Sequence, residues 1–171
     1  MANALANARG TVRADIRDGV VKRLGLVKTI VVTTSGRADA KPPSGTSSSD
    51  EPFTRLGATL TVGGGAARTS DLQFESTDVL MRSAGSVRLD GSAIDLRGDV
   101  QLSEALTQQA GRDLVRYTQE EGRVTLPVTI TGTAAAPSVH VDVAAAAGRA
   151  IKNRVNEELK KGLDRLFKRV P

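Results

Sequence analysis

A mainly β fold is predicted. It is one mostly antiparallel, twisted sheet with a greasy face and a wet face, laid out as an up-and-down meander and capped by amphipathic helices. Three observations predict it. Apolar and polar residues alternate in short stretches between residues 53 and 102, with turn signals about every 8–12 residues and no helical pattern inside. A second alternating pair runs from Pro127 to Asp142, where Val128, Ile130, Val139 and Val141 are interleaved with Thr129, Thr131, Ser138, His140 and Asp142. A period of two puts successive side chains on opposite faces. Helical spacing is confined to three other stretches, the last of them long and basic.

Residues 9–17 open the chain as a strand, with Val12, Ala14 and Ile16 on one side and Thr11, Arg13, Asp15 and Arg17 on the other. Asp18-Gly19 reads as the turn that follows it. Leu24, Leu26, Val27, Ile30 and Val31 fall at helical spacing, so about 22–33 reads as a short amphipathic helix, although the β-branched run Val27 to Val32 keeps a strand open. Residues 36–52 are rich in Pro, Ser, Ala and Asp. They hold too little apolar surface to repay ordering and are expected to form a flexible loop.

The meander carries Leu56, Ala58, Leu60 and Val62, then Leu72 and Phe74, Val79 and Met81, Val87 and Leu89, and last Ile94, Leu96, Val100 and Leu102. Its expected turns are Gly63-Gly64-Gly65, Ser76-Thr77-Asp78, Ala84-Gly85 and Asp90-Gly91. The opposite face bears Arg88, Asp90, Asp95, Arg97 and Asp99, so one face must be wet. Ser103-Glu104 then reads as a helix N-cap with an acid in the first turn. Leu106, Ala110, Leu114 and Tyr117 line that helix until Gly122 stops it.

Strands are expected at 123–131 and 138–143. Pro127 cannot donate to a ladder, which places its strand at an edge or leaves that position facing no partner. An Ala-rich entry leads to a basic amphipathic helix over 144–169, with Ile151, Val155, Leu159, Leu163 and Phe167 along one stripe.

Composition narrows the functions. With 171 residues the chain suffices for one domain with a core, or for part of a longer sheet. Aromatics are only 2%, so its apolar surface is aliphatic, suited to aliphatic contacts rather than to stacking on bases or sugars. No run nears the roughly 18–20 apolar residues that span a bilayer. The first residues lack the charged start and apolar core of a secretory signal, so the chain by itself is expected neither to insert nor to export itself. The absence of cysteine excludes disulfides and thiolate metal sites. Residues 149–171 carry eight basic and three acidic side chains, which accounts for the whole net charge of +5. The rest is neutral, and nucleic acid is not an expected partner.

Few residues invite catalysis. His140, the single histidine, sits on the polar side of its strand with no cysteine or triad partner, and reads as an exposed strand residue. Asp90, Asp95 and Asp99 alternate with Arg88 and Arg97. A sugar-cleaving carboxylate pair is conceivable there, but cross-strand ion pairing on a wet face is the ordinary reading. Gly63-Gly64-Gly65 lacks the Gly-Lys-Ser/Thr continuation of a phosphate loop. The chain is read as a non-enzyme, with no metal and no cofactor.

Two features keep a functional alternative. The apolar face, formed by Leu60, Val62, Leu72, Phe74, Val87, Leu89, Ile94, Leu96, Val100, Ile130 and Val141, is either a core under the helices or a groove open to acyl chains. Two or three short helices can hardly cover some eight strands. The terminal helix, through Lys152, Arg154, Lys160, Lys161, Arg165, Lys168 and Arg169, either caps the sheet with its charges solvated or rests on an anionic membrane.

The order of these patterns resembles the C-terminal region of AsmA-like proteins of the bacterial envelope. The resemblance is carried by the strand, turn and helix from Gly10 to Leu26, by Phe53 to Leu60, Leu72 to Ser76 and Gly85 to Gly91, and by the Pro127–Asp142 pair before an Ala-rich helix. It implies a single C-terminal domain over 1–171 of an inner-membrane-anchored protein whose twisted β-groove faces the periplasm. Such proteins are implicated in phospholipid movement between membranes and in outer-membrane assembly, and the family offers no catalytic residues to carry over. The alternative function is a structural module that docks its sheet edge or basic helix on an envelope protein.

Overall fold

The computed structural model describes residues 7–37, 39–42, 49–110, 119–120, 123–149, 152 and 159 of the chain. The protein is mainly β. Its strands are β1 (Gly10–Val21), β2 (Glu51–Gly63), β3 (Ala66–Glu75), β4 (Val79–Arg88), β5 (Ile94–Leu102), β6 (Gln119–Glu120), β7 (Arg123–Gly132) and β8 (Pro137–Val141). They form an open antiparallel sheet in the order β1-β2-β3-β4-β5-β7, with β8 and the two-residue β6 both paired to β7. Among the described residues three helices accompany it: α1 (Leu26–Ser35), α2 (Glu104–Gln109) and α3, residues 143–149. The antiparallel meander follows the alternation, since each short turn returns the chain beside the strand it has just left.

Four local expectations need correction. Asp18-Gly19 is not a turn: β1 continues to Val21, with Asp18 at φ 54. Glycine at position 19 is required because a Cβ would fall 2.4 Å from Phe53 Cζ, so the ring lies over the bare backbone. Ala84-Gly85 is likewise inside β4, which is one strand rather than two. Leu89 lies in the turn after it. The helix expected to run to Gly122 is six residues long in α2, and Gln119 and Glu120 pair with Val124 and Arg123. Residues 111–118, with Leu114 and Tyr117, lie outside the described residues. Finally, the strand after the polar loop begins at Glu51, which is buried, and Pro42 within the loop is buried too.

α1 is a helix despite its β-branched run. Leu26, Val27, Ile30 and Val31 stack at helical spacing and are all at most 4% exposed, so burial outweighs intrinsic strand preference. Thr29 and Thr34 hydroxyls donate to the Gly25 and Ile30 carbonyls, which satisfies them inside the helix. Gly25 (φ 58) and Gly36 (φ 66) bound it in left-handed conformations that few other residues accept. Its N-terminus has no local side-chain cap. The acceptor arrives from β2, where Glu51 Oε2 takes the Val27 N–H at 3.1 Å. α2 is capped as its sequence suggests, with Ser103 Oγ accepting from Leu106 N at 3.2 Å. Asp142 does the same for α3, accepting from Ala145 N at 2.8 Å.

Two devices bend the sheet. β3 contains a bulge between Thr69 and Leu72, seen in its pairing with both neighbours. Asp71 holds it, accepting from Thr59 N at 2.7 Å and from the Thr69 hydroxyl at 2.9 Å. The extra residue switches the inward set from Ala67 to Leu72 and Phe74. Gly85 and Gly98 mark the second device. A Cβ at either would lie 2.0 Å or less from a carbonyl oxygen of the partner strand, so β4 and β5 meet more closely than side chains permit. Twist accumulates across the strands. Arg23, just past β1, therefore reaches the Ala135 carbonyl in the β7–β8 link at 3.3 Å, although β1 and β8 are opposite edges.

Pro127 sits in β7 between two neighbours. Its carbonyl accepts from Asp142 N at 3.0 Å, the point at which β8 leaves the ladder. The missing N–H therefore points where pairing has just ended. Of the two expectations for Pro127, this is the position facing no partner.

Candidate functional site

The apolar face is closed at one end and open at the other. At the end carrying Val21, Glu51, Glu75, Val79 and Leu102, α1 and α2 seal it. Phe74, Val100, Leu102, Leu106, Val124 and Leu126 are at most 1% exposed there, and Phe53 and Phe74 meet at 5.9 Å between ring centroids. Among the anticipated face residues, Phe74, Leu96, Val100, Ile130 and Val141 belong to this packed core. Leu60, Val62, Leu72, Val87, Leu89 and Ile94 are only partly covered. The face therefore divides, and only its second group can meet a ligand.

The open part is widest on β1 and β2. Val12 pairs with Leu60, Ala14 with Ala58 and Ile16 with Leu56, all on the face whose continuation is the core. Val12 and Ile16 are 53% and 51% exposed. The alternation of β1 made them visible in the sequence, but nothing there says which face of an edge strand the helices miss. From Leu56 to Val62 the strip spans roughly 20 Å at the usual strand rise. It contains no charged side chain, so it offers contact to aliphatic chains and nothing that would grip a polar group.

The opposite face is mostly polar, with Leu80, Ala84 and Pro127 among its apolar members. Asp15 pairs with Arg55 at 2.8 Å, Asp95 with Arg97 at 3.2 Å and Asp99 with Arg149 of α3 at 2.7 Å. Asp90 turns back on Ser92, whose hydroxyl donates to it at 2.6 Å and holds its carboxyl below the ordinary range. The three carboxylates weighed as an acid/base set are thus each engaged locally. His140 is exposed opposite Thr129 on β7. Beside the β3 bulge a depression of about 460 Å³ is lined by Asp71, Leu72, Gln73, Arg82, Ala84 and Arg97 among others, a mixed surface that brings charged groups where the strip has none. No group of three metal-ligating side chains lies together among the described residues.

The interior holds two carboxyls that sequence reasoning missed. Glu51 and Asp78 are each 6% exposed. Burial pushes the Glu51 carboxyl up, the nearby Asp78 adds to that, and the Val27 and Leu26 N–H groups pull the other way. No sequence signal marks Glu51, which stands at the end of a polar loop.

Of the terminal helix, Lys152 and Leu159 are exposed and helical. Arg154, Lys160, Lys161, Arg165, Lys168 and Arg169 lie outside the described residues. No helix among the described residues is long and apolar enough to cross a membrane. No protein-family model, curated protein or solved structure matches this chain.

Proposed function

We propose that this protein is a non-catalytic β-groove module of a bacterial envelope protein, acting at the periplasmic face in phospholipid movement between membranes and in outer-membrane assembly. The observation that carries the reading is an apolar strip of half-exposed Val12 and Ile16 beside partly covered Leu56 and Leu60, on a face whose other half is a dense core. Covering such side chains with an acyl chain stabilises each by about 1 kcal/mol. The strip runs along the strands, which suits an extended chain better than a compact ligand. The basic terminal segment supports a role at an anionic lipid surface. The similarity of the strand and helix order to AsmA-like C-terminal regions supplies the envelope setting.

Native mass spectrometry of the purified protein tests the groove. Co-purified phospholipid is expected, and Val12→Glu with Ile16→Glu is expected to abolish it while circular dichroism stays unchanged. A lipid-free protein under all conditions removes the groove reading. For the terminal segment, pelleting with anionic liposomes is expected to exceed pelleting with neutral ones and to fall with salt. Equal pelleting with both rejects membrane contact by charge.

A second reading, a structural module that docks its sheet edge on an envelope protein, is favoured by one observation. β1 is a long edge strand with no buried residue. A chain that is lipid-free yet bound to an envelope partner would favour it over the groove.

A further inference from the structure

Among the described residues β1 pairs with β2 alone, so the outer edge of this 12-residue strand has no strand partner among them. The opposite edge, β8, is five residues long and has α1 against it. Edge strands are commonly protected by like charges that repel another copy. β1 instead carries Arg13, Asp15 and Arg17 in alternating sign on its wet face, with Val12 and Ile16 half-exposed on the other.

We propose that β1 pairs antiparallel with β1 of a second copy, about a two-fold axis through Ala14. Keeping both apolar faces on one side requires the axis to pass through a residue, because directly opposed residues point to the same face. An axis at Arg13 sets Arg13 on its own copy and Arg9 on Arg17. An axis at Asp15 sets Asp15 on itself and Arg13 on Arg17. Both are repulsive. An axis at Ile16 brings Asp18, at φ 54, inside the ladder. An axis at Val12 leaves only Gly10–Ala14 within the strand.

With the axis at Ala14 the five central pairs agree, and Asp18 falls only at the ends of the ladder, opposite Gly10 of the partner copy. Val12 faces Ile16 of the partner copy twice, Ala14 faces its own copy, and Arg13 faces Asp15 of the partner copy twice. Asp15 already holds Arg55 at 2.8 Å, so each carboxylate would lie between two guanidiniums. The interface is isologous and closes as a dimer. It joins the two apolar faces side by side. The pairing rests on the β1 edge alone, and it stands or falls apart from lipid binding.

Sedimentation equilibrium on delipidated protein is expected to show twice the chain mass at high concentration. Arg13→Asp alone and Asp15→Arg alone are each expected to weaken the dimer at least tenfold, and an equimolar mixture of the two to restore association. The chain has no cysteine. Ala14→Cys should therefore cross-link to itself with a short thiol-bridging reagent, while Ser138→Cys on β8 should not. Single-chain mass at every concentration overturns the proposal. So does a dimer indifferent to both charge changes, or equal cross-linking at Ala14→Cys and Ser138→Cys. A strand of another protein found on β1 in place of the second copy overturns it as well.

Discussion

Glu51 is the side chain where burial and charge oppose each other most directly. It supplies the cap that α1 lacks locally, yet it is 6% exposed and close to buried Asp78. Its folded carboxyl holds its proton to higher pH than an unfolded glutamate. The folded state then binds more protons between those two values, so its contribution is full below the ordinary glutamate range and is lost as pH rises through the folded value. Glu51→Gln keeps an acceptor for Val27 N–H and removes the charge. It is expected to be no less stable than the parent at pH 7, with the difference vanishing in acid. Glu51→Ala orphans that N–H and is expected to cost about 1–2 kcal/mol. Urea unfolding at pH 4 and pH 7 checks both. Asp15, Asp50, Asp71 and Asp90 act with the opposite sign. Their carboxyls are held low by hydrogen bonds to Arg55, Lys22, Thr59 and Ser92 in turn, so their contributions are lost as pH falls.

At the scale of an element, the strands are long because features resembling turns are absorbed into them. Asp18-Gly19 and Ala84-Gly85 are turn dipeptides by composition, and the pairing partners decide otherwise. Gly19 lies under the Phe53 ring, and Gly85 lets β4 approach Asp95 on β5. A local pattern cannot distinguish a glycine needed for a turn from one needed for a close approach, because both want a missing Cβ. Gly85→Ala discriminates them. At φ 145, with a Cβ due 2.0 Å from the Asp95 carbonyl oxygen, it is expected to lower stability by about 3 kcal/mol, whereas alanine in a solvent-exposed turn would cost far less. The denaturation midpoint measures this. The β3 bulge makes the same point about phase. The alternation around Leu72 and Phe74 was legible, and its offset from Ala67 was not, because the offset is defined by partner strands.

For the whole molecule, the consequential asymmetry is that one end of the apolar face is a core and the other is a surface. The two ends respond differently to truncation. Leu126→Ala, within the sealed end at 0% exposed, is expected to lose about 2–5 kcal/mol. Val12→Ala, in the open strip, is expected to stay within about 0.5 kcal/mol of the parent. Thermal and urea unfolding of the pair checks it. Near-equal losses would mean that Val12 is packed and that no open strip exists. The same asymmetry leaves β1 available both to a ligand along its face and to a strand along its edge.

The amino-acid order by itself determined the one-faced antiparallel meander, roughly where the helices begin, most turns and the concentration of positive charge near the end. All of these follow from spacing, turn chemistry and composition within a few residues of each position. Only the tertiary structure decided which half of the greasy face is covered, that Glu51 caps α1 from 24 residues away, and that β1 is an edge strand paired, among the described residues, with β2 alone. Coverage, long-range capping and edge exposure depend on what lies opposite a residue. Curl and register set that opposition, and both arise from the packing of strands distant in the chain.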